Sequence, residues 1–343
     1  GRRNLIINGA MQVAQRGTSF TDANHIYTLD RYRLNSVNHD EFVCDVSQST
    51  DAPSGFTTSM KVDVTTAETT IDADERVSIE QRIEAQNLQH LKYGTANAET
   101  TTLSMWVKSS VAGKYGVNIR AHDAGDNYIT SFTINTADTW EHKTMTIDGN
   151  TLSGGEISND NGIGLWFRLM LICGSDRRTS TVDQWVANID DNAPTDAQTT
   201  WGTSASHEFY LTGVQWEVGE QATPFEHRSF ADELQKCKRY FCKTQPHGTA
   251  HTTWSWNGAP TIAPNTGTRN VGGQFPVKMR ATPTVGLLAA SNSESGHVYV
   301  AGVNVTATTV DVGEFGFRLN ITEGGGVGIS EDAAMNWHAD AEL

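Results

Sequence analysis

Between residues 42 and 218, apolar side chains return at every second position in short runs separated by clusters of Gly, Asn, Asp, Ser and Thr. The sets are Phe42/Cys44/Val46, Met60/Val62/Val64, Val77/Ile79/Ile83, Leu103/Met105/Val107, Tyr115/Val117/Ile119 and Met145/Ile147. Successive side chains of a strand point to opposite faces, so each set lines one side of a sheet whose other side is polar. That is the pattern of half-buried antiparallel strands. Residues 162–173 (Gly-Ile-Gly-Leu-Trp-Phe-Arg-Leu-Met-Leu-Ile-Cys) are apolar on both parities, as expected of a central strand covered on both faces. In residues 207–218 the inward set reads Phe209, Leu211, then Val214, Trp216, Val218, and the change of parity at Thr212-Gly213 predicts a bulge. Eight or more such strands without helical periodicity between them require two packed sheets, a sandwich or jelly roll. Residues 1–228 are therefore expected to form one all-β domain.

The period then changes. Phe230, Leu234, Cys237 and Phe241 are spaced 4-3-4, and Ser229 followed by Asp232 and Glu233 resembles a capping box, so a helix is expected within residues 229–243. Two heptad turns cannot form a stable isolated coiled coil. The helix either packs on its own domain or stands at a three-fold axis, where Tyr240 and Phe241 would meet their symmetry mates. Strand patterns resume from Thr244, at Val298/Val300, Val303/Val305, Val310/Val312 and Phe315/Phe317/Leu319/Ile321, with glycine-rich turns at 324–328. Residues 244–343 fit a second, smaller β-sandwich. No repeat of fixed period is present, which disfavours a solenoid or long β-helix.

Several blocks carry a resemblance. Asn4-Leu-Ile-Ile-Asn-Gly-Ala-Met-Gln-Val-Ala-Gln-Arg-Gly-Thr-Ser-Phe20 with Tyr27-Thr-Leu-Asp-Arg-Tyr32 resembles the opening of a family of bacteriophage tail-fibre and other virion structural proteins. Leu211-Thr-Gly-Val-Gln-Trp-Glu-Val-Gly219, Ala222-Thr-Pro-Phe-Glu-His-Arg-Ser-Phe230 and Glu233-Leu-Gln-Lys-Cys-Lys-Arg-Tyr-Phe241 are similar to its most recurrent block, and Phe275-Pro-Val-Lys-Met-Arg-Ala-Thr-Pro-Thr-Val285 to one in its C-terminal domain. The resemblance implies a carbohydrate-binding-module-like jelly roll, a helix and a C-terminal β domain in a homotrimeric appendage of the virion. Phe230, Leu234, Cys237, Tyr240 and Phe241 would then be trimer contacts. Trp216 and Phe241 depart from it modestly, standing where an aliphatic residue and Tyr are commoner.

Composition narrows the function. The 343 residues carry 25 Lys and Arg against 40 Asp and Glu, a net charge of −15, with no basic stripe beyond Arg2-Arg3 and Arg177-Arg178. Phosphate neutralisation on that balance is unfavourable, so no nucleic-acid partner is expected. No apolar run approaches the ~18 to 20 residues of a membrane span. The four cysteines form neither a CxxC pair nor a disulfide framework and read as reduced, mostly buried thiols. Without an initiator Met or a signal-peptide core, the chain reads as a fragment or processed product.

The local motifs of enzymes are missing: no G-x-S-x-G, HExxH, P-loop or dinucleotide fingerprint occurs. Asp123, Asp126, Asp190 and Asp191 are the carboxylates to weigh for glycoside hydrolysis, although Asp in such stretches is typical of turns. The same loops suit a structural Ca²⁺ without defining ligands, and no other cofactor is expected. The eleven histidines lack metal-ligand spacing.

Aromatic residues are the better candidates for a site, because sugar C–H faces stack on Trp while neighbouring polar groups take the hydroxyls. Trp254 and Trp256 fall at strand spacing beside Asn257, His247 and His251, and Trp337 adds a further indole. The alternative for these is core or inter-subunit packing. Trp185 and Trp201 rank second, and Trp106, Trp166 and Trp216 read as core. The expectation is a non-enzymatic virion appendage, self-associating as a homotrimer, that attaches to a host-surface glycan or to other virion proteins. Its rivals are a depolymerase with carboxylates assembled between chains and a ligand-free decoration or baseplate protein.

Overall fold

The computed structural model describes residues 3–39, 41–187, 189, 192–244, 268–288, 296–300, 303–322, 333–334 and 336–343. It divides into two compact units, Gly1–Phe230 with Leu343, and Ala231–Glu342. Among the described residues no helix is long and apolar enough to cross a membrane.

The strands of the first unit are β1 (Ser19–Phe20), β2 (Arg33–Val37), β3 (Val43–Ser49), β4 (Ser59–Thr66), β5 (Arg76–Glu84), β6 (Thr101–Ser109), β7 (Gly113–Ala121), β8 (Asp126–Ile134), β9 (Glu141–Ile147), β10 (Ile163–Cys173), β11 (Arg178–Thr179), β12 (Trp185–Val186), β13 (Ala193–Pro194) and β14 (Glu208–Val218). They form a sheet of order β1-β3-β4-β14-β6-β9 and a second of order β12-β8-β7-β10-β5-β2, with β11-β13 as a small parallel pair. Both large sheets are antiparallel, and the chain crosses repeatedly from one to the other, which makes a β-sandwich. The alternating sets between residues 42 and 147 face the space between them: Val46, Val62, Ile79, Leu103, Val117 and Ile147 are all within 1 % of complete burial, while of the β14 set Phe209, Leu211, Val214 and Trp216 are buried and Val218, at the strand end, is exposed rather than inward. The parity change in β14 is a bulge between Thr212 and Gln215, with Gly213 at φ 61°. A Cβ at Gly213 would lie 2.7 Å from the Phe56 ring, so this left-handed turn is also a close approach.

The first resemblance block closes the seam beside that bulge. Leu5 N–H donates to the Trp216 carbonyl at 2.8 Å, and Val214 N–H to that of Gly9 at 2.9 Å. Asn4 Oδ1 accepts from the N–H groups of Ile6 and Trp216, and its Nδ2 donates to the Val214 carbonyl. Glu226 Oε2 accepts the Asn4 N–H at 3.1 Å, and Arg228 donates to the Asn4 carbonyl. The opening and the 211–230 stretch thus satisfy each other's backbone groups.

Glu141 performs a similar task at the β8–β9 connection. Its carboxylate accepts from the N–H groups of Asn135 and Thr136, from Asn135 Nδ2 and from Lys143 Nζ. Burial pushes its pKa up, but Lys143 and the amide donors outweigh that and hold it at about 2. A depressed carboxylate contributes stability above its ordinary pKa and loses it as pH falls towards the folded value. Glu141→Gln is therefore expected to cost about 1 kcal/mol at pH 7, after allowance for solvent screening. In thermal melts, the gap between wild type and variant should close as pH falls towards 2.

The second unit contains α1 (Phe230–Lys238), β15 (Phe241–Lys243), β16 (Thr268–Gln274), β17 (Thr284–Leu288), β18 (His297–Val300), β19 (Val303–Val312), β20 (Gly316–Thr322), β21 (Ala333–Ala334) and β22 (Asn336–Asp340), with Phe230 itself counted in the first unit. Its sheets run β15-β22-β17 and β16-β20-β19-β18-β21 around Cys242, Phe275, Met279, Leu287, Phe317, Leu319 and Trp337. The helix carries Asp232 and Glu233 in its first turn and Lys236 and Lys238 in its last, the polarity its dipole favours. It is shorter than the 4-3-4 spacing implies. Phe241 belongs not to the helix but to β15, where it pairs with Asp340 of β22, because backbone pairing at this sheet edge takes over after Lys238. Cys237, Tyr240 and Phe241 are buried within the chain, so only Phe230, 56 % exposed, and half-buried Leu234 keep surface for a partner chain. Phe315 is likewise not a strand residue: it precedes β20 and is exposed, beneath Lys278 Nζ. All four cysteines are buried and outside any disulfide, and burial pushes the Cys242 thiol up to about 12.

Candidate functional site

The alternation that sends Leu165, Phe167 and Leu169 of β10 into the core sends Trp166, Arg168 and Met170 to the opposite face of the sheet. Cross-strand register sets their neighbours. One row is Asn127 (β8), Arg120 (β7), Trp166 (β10) and Arg82 (β5). The next is Ile129, Asn118, Arg168, Glu80 and Arg33, the last on β2. Residues 192–198 roof the Met170 end of this face: Met170 and Cys173 pack with Ala193 and Ala197. Gly116 makes that possible, since a Cβ there would come within 2.6 Å of the Ala193 side chain. The Trp166 end stays partly accessible, with Trp166, Arg82 and Arg120 half-buried and His122 exposed beside them.

The geometry of this end is a guanidinium and aromatic cluster. The Arg82 and Arg168 guanidinium carbons lie 4.4 and 4.8 Å from the Trp166 ring centroid, in cation–π range. Arg168, 3 % exposed, donates Nε and Nη2 to Asn118 Oδ1 at 3.1 and 2.8 Å and Nη2 to Asn127 Oδ1 at 3.3 Å. Glu80 Oε1 accepts from Asn35 Nδ2 and the Ser78 hydroxyl. Arg82 Nη1 donates to the carbonyl of Leu343, and Arg33 Nη2 lies 3.4 Å from His25 Nδ1. Buried atoms nevertheless go without a hydrogen-bond partner here: Trp166 Nε1, Glu80 Oε2 and the Nε groups of Arg33, Arg82 and Arg120. Folded proteins pair nearly all such atoms, so these five stand open to a ligand or to ordered water. Partial burial and then the charge of Arg120 lower the His122 pKa, Asp123 pulls it back up, and Arg82 adds a smaller lowering.

The other sheet carries a second aromatic group, in which Trp140 and Tyr210 have hydrogen-bond partners within the chain. Trp106 packs on His142 with centroids 5.1 Å apart, and Trp140 on Tyr210 at 6.0 Å. Lys108 Nζ sits 4.1 Å from the Tyr210 centroid and ion-pairs with Asp51, which also accepts from Trp140 Nε1 at 2.9 Å. Lys61 bridges to Glu208, and the Tyr210 hydroxyl donates to Glu208.

The structure redistributes the sequence candidates. Trp254, Trp256, Asn257, His251 and His247, the glycine-rich turns at 324–328, and Asp190 and Asp191 lie outside the described residues. Trp337 is not a surface indole: it is 4 % exposed in β22, with its ring 5.4 Å from Phe275 and 5.5 Å from Phe317, and it fills the core of the second unit. Trp201 is also core, fully buried, and half-buried Trp185 donates Nε1 to the Asp148 carbonyl. Trp216 is core as expected. Trp106 and Trp166 are not, because their parity places them on the outward faces. Asp123 and Asp126 bound the β7–β8 turn, where Asp123 accepts the Ser158 N–H and Asp126 accepts from Asn150. Among the described residues no group of three or more His, Cys, Asp or Glu is placed to hold a metal ion.

No protein-family model matches the chain, and no curated protein matches it. Several solved structures match part of the chain at low identity. The enzymatically active domain of bacteriophage CBA120 tailspike protein 4 is 11 % identical over 63 % of this chain, with a TM-score of 0.34. The match spans only 21 % of that tailspike chain. A family 11 carbohydrate-binding module from Clostridium thermocellum, solved with a β-1,3-1,4-mixed-linked tetrasaccharide, is 10 % identical over 60 % of this chain and 99 % of its own, with a TM-score of 0.31. A C-terminal family 22 carbohydrate-binding module of the same organism matches over 60 % and 98 % at 10 % identity and a TM-score of 0.31. No residue correspondence follows at these overlaps.

Proposed function

We propose that this chain is a non-catalytic glycan-binding component of a virion appendage, of the tail-fibre kind its sequence blocks resemble, acting as a homotrimer and engaging a host-surface glycan through the Trp166 face. The observation that carries the proposal is the outward row Arg120–Trp166–Arg82 over Asn118–Arg168–Glu80, in which buried donors and an acceptor stand without protein partners. Sugars present dense hydroxyls to planar side chains, and an indole edge flanked by guanidinium, amide and carboxylate groups complements them. Three copies would raise a weak single-site affinity through effective concentration. These two rows carry one carboxylate, Glu80, whereas glycoside hydrolysis requires a pair.

A glycan array probed with wild type, Trp166→Ala and Glu80→Gln tests this reading, with circular dichroism melts to confirm folding. Wild type is expected to retain a defined set of glycans, and both variants to lose at least tenfold in affinity, about 1.4 kcal/mol. An array silent at high protein concentration would contradict glycan binding and favour a decoration role. Release of reducing ends from a bound polysaccharide would contradict the absence of catalysis.

A further inference from the structure

The charge on this face runs against that of the chain. With 40 Asp and Glu for 25 Lys and Arg, carboxylates are in excess, and at least nine of the described cationic side chains hold one within 4 Å. Arg33, Arg82 and Arg120 hold no Asp or Glu within that distance among the described residues, although they lie in adjacent rows of one sheet face, and Arg82 donates Nη1 to the Leu343 oxygen. Arg120 has no side-chain hydrogen bond to any described residue either. Glu80, the carboxylate of these rows, already accepts from Asn35 and Ser78. Arg168 adds a fourth guanidinium against the indole.

The unmatched atoms have the same bias. Four are donors, on Trp166, Arg33, Arg82 and Arg120, and one is an acceptor, on Glu80. A neutral sugar offers donors and acceptors together through its hydroxyls. A surface with several donors to each acceptor is complementary to a ligand rich in acceptors, and planar guanidinium groups bind oxyanions through paired, charge-assisted hydrogen bonds.

We infer that the glycan taken by the Trp166 face is acidic, with an oxyanion on a sugar ring set between Arg82 and Arg120. This rests on the glycan-binding reading and adds the ligand's charge class to it. A uronic-acid carboxylate and a sugar sulfate share the chemistry, and the test separates them. The full chain is titrated calorimetrically with oligogalacturonate, a heparin-derived sulfated oligosaccharide, a neutral galactan of similar length, and inorganic polyphosphate, each at several salt concentrations. One of the acidic oligosaccharides is expected to bind at least tenfold more tightly than the neutral one, with affinity falling as salt rises. Arg82→Gln/Arg120→Gln should remove that preference and flatten the salt dependence. Arg120→Gln alone, at a side chain without a hydrogen-bond partner among the described residues, should weaken acidic-glycan binding while leaving the melting temperature unchanged. Equal affinity for neutral and acidic oligosaccharides, or an unchanged preference in the double variant, would overturn the inference and leave glycan binding standing. Polyphosphate binding as tightly as the acidic glycans would also overturn it, in favour of a general polyanion site. Failure of every saccharide to bind would instead defeat the glycan-binding reading.

Discussion

Asn8→Ala is expected to destabilise the first unit by about 3–5 kcal/mol, a fall in melting temperature of roughly 10 °C for a unit of this size. Asn8 is fully buried at φ 59°, a left-handed conformation that Asn tolerates and Ala resists. Its Nδ2 donates to the carbonyls of Val13 and Asp30, and its Oδ1 accepts the Val13 N–H, with distances of 2.9 to 3.0 Å. Removing the amide leaves the Val13 N–H and the Asp30 carbonyl without these bonds, takes one of two donors from the Val13 carbonyl, which keeps the Asp30 N–H, and strains the backbone. Asn8→Asp keeps the acceptor and loses the donor, so it should fall between wild type and Ala. A thermal shift for Asn8→Ala below about 1 kcal/mol would contradict the organising role given to the opening block.

Arg168→Met should cost about 2–4 kcal/mol, while Arg120→Gln, two strand positions away on the neighbouring strand, should stay within about 0.5 kcal/mol of wild type. Arg168 is buried, and its loss leaves Asn118 Oδ1, which accepts two of its N–H groups, without them. Met replaces the aliphatic stem and none of the donors. Arg120 is half-buried and makes no hydrogen bond or ion pair among the described residues. Chemical denaturation of the two variants therefore separates a guanidinium that supports the face from one offered to a ligand. Equal losses would remove that distinction.

The sandwich was legible because its core obeys one rule. Val62, Leu103, Val117 and Leu211 alternate with polar residues, and the bulge at Gly213 shows as a slip of that alternation. The helix boundary was not legible, since Phe241 suits either a heptad or a buried strand and long-range pairing with Asp340 decides. The place of Trp166 was misread for a related reason. Residues 162–173 look apolar on both parities, so Trp166 reads as core, and what separates it is Arg168 two positions on. A charged residue in the middle of such a run signals that one face is not simply covered. The partners of these residues, Arg82, Arg120 and Asn118, come from other strands, and only the register brings them together. Trp337 went the opposite way: it reads in sequence as a further indole for the site, and two phenylalanines distant in sequence enclose it, which is the packing alternative.

Hydroxyl-radical footprinting read by mass spectrometry, with and without a saturating acidic oligosaccharide, tests the central claim most directly, because oxidation of Trp166 and of Trp254 and Trp256 is measured in one sample. The account predicts ligand-dependent protection of Trp166 and His122, with oxidation elsewhere unchanged. Protection confined to Trp254 and Trp256, with Trp166 oxidised equally in both states, would contradict it.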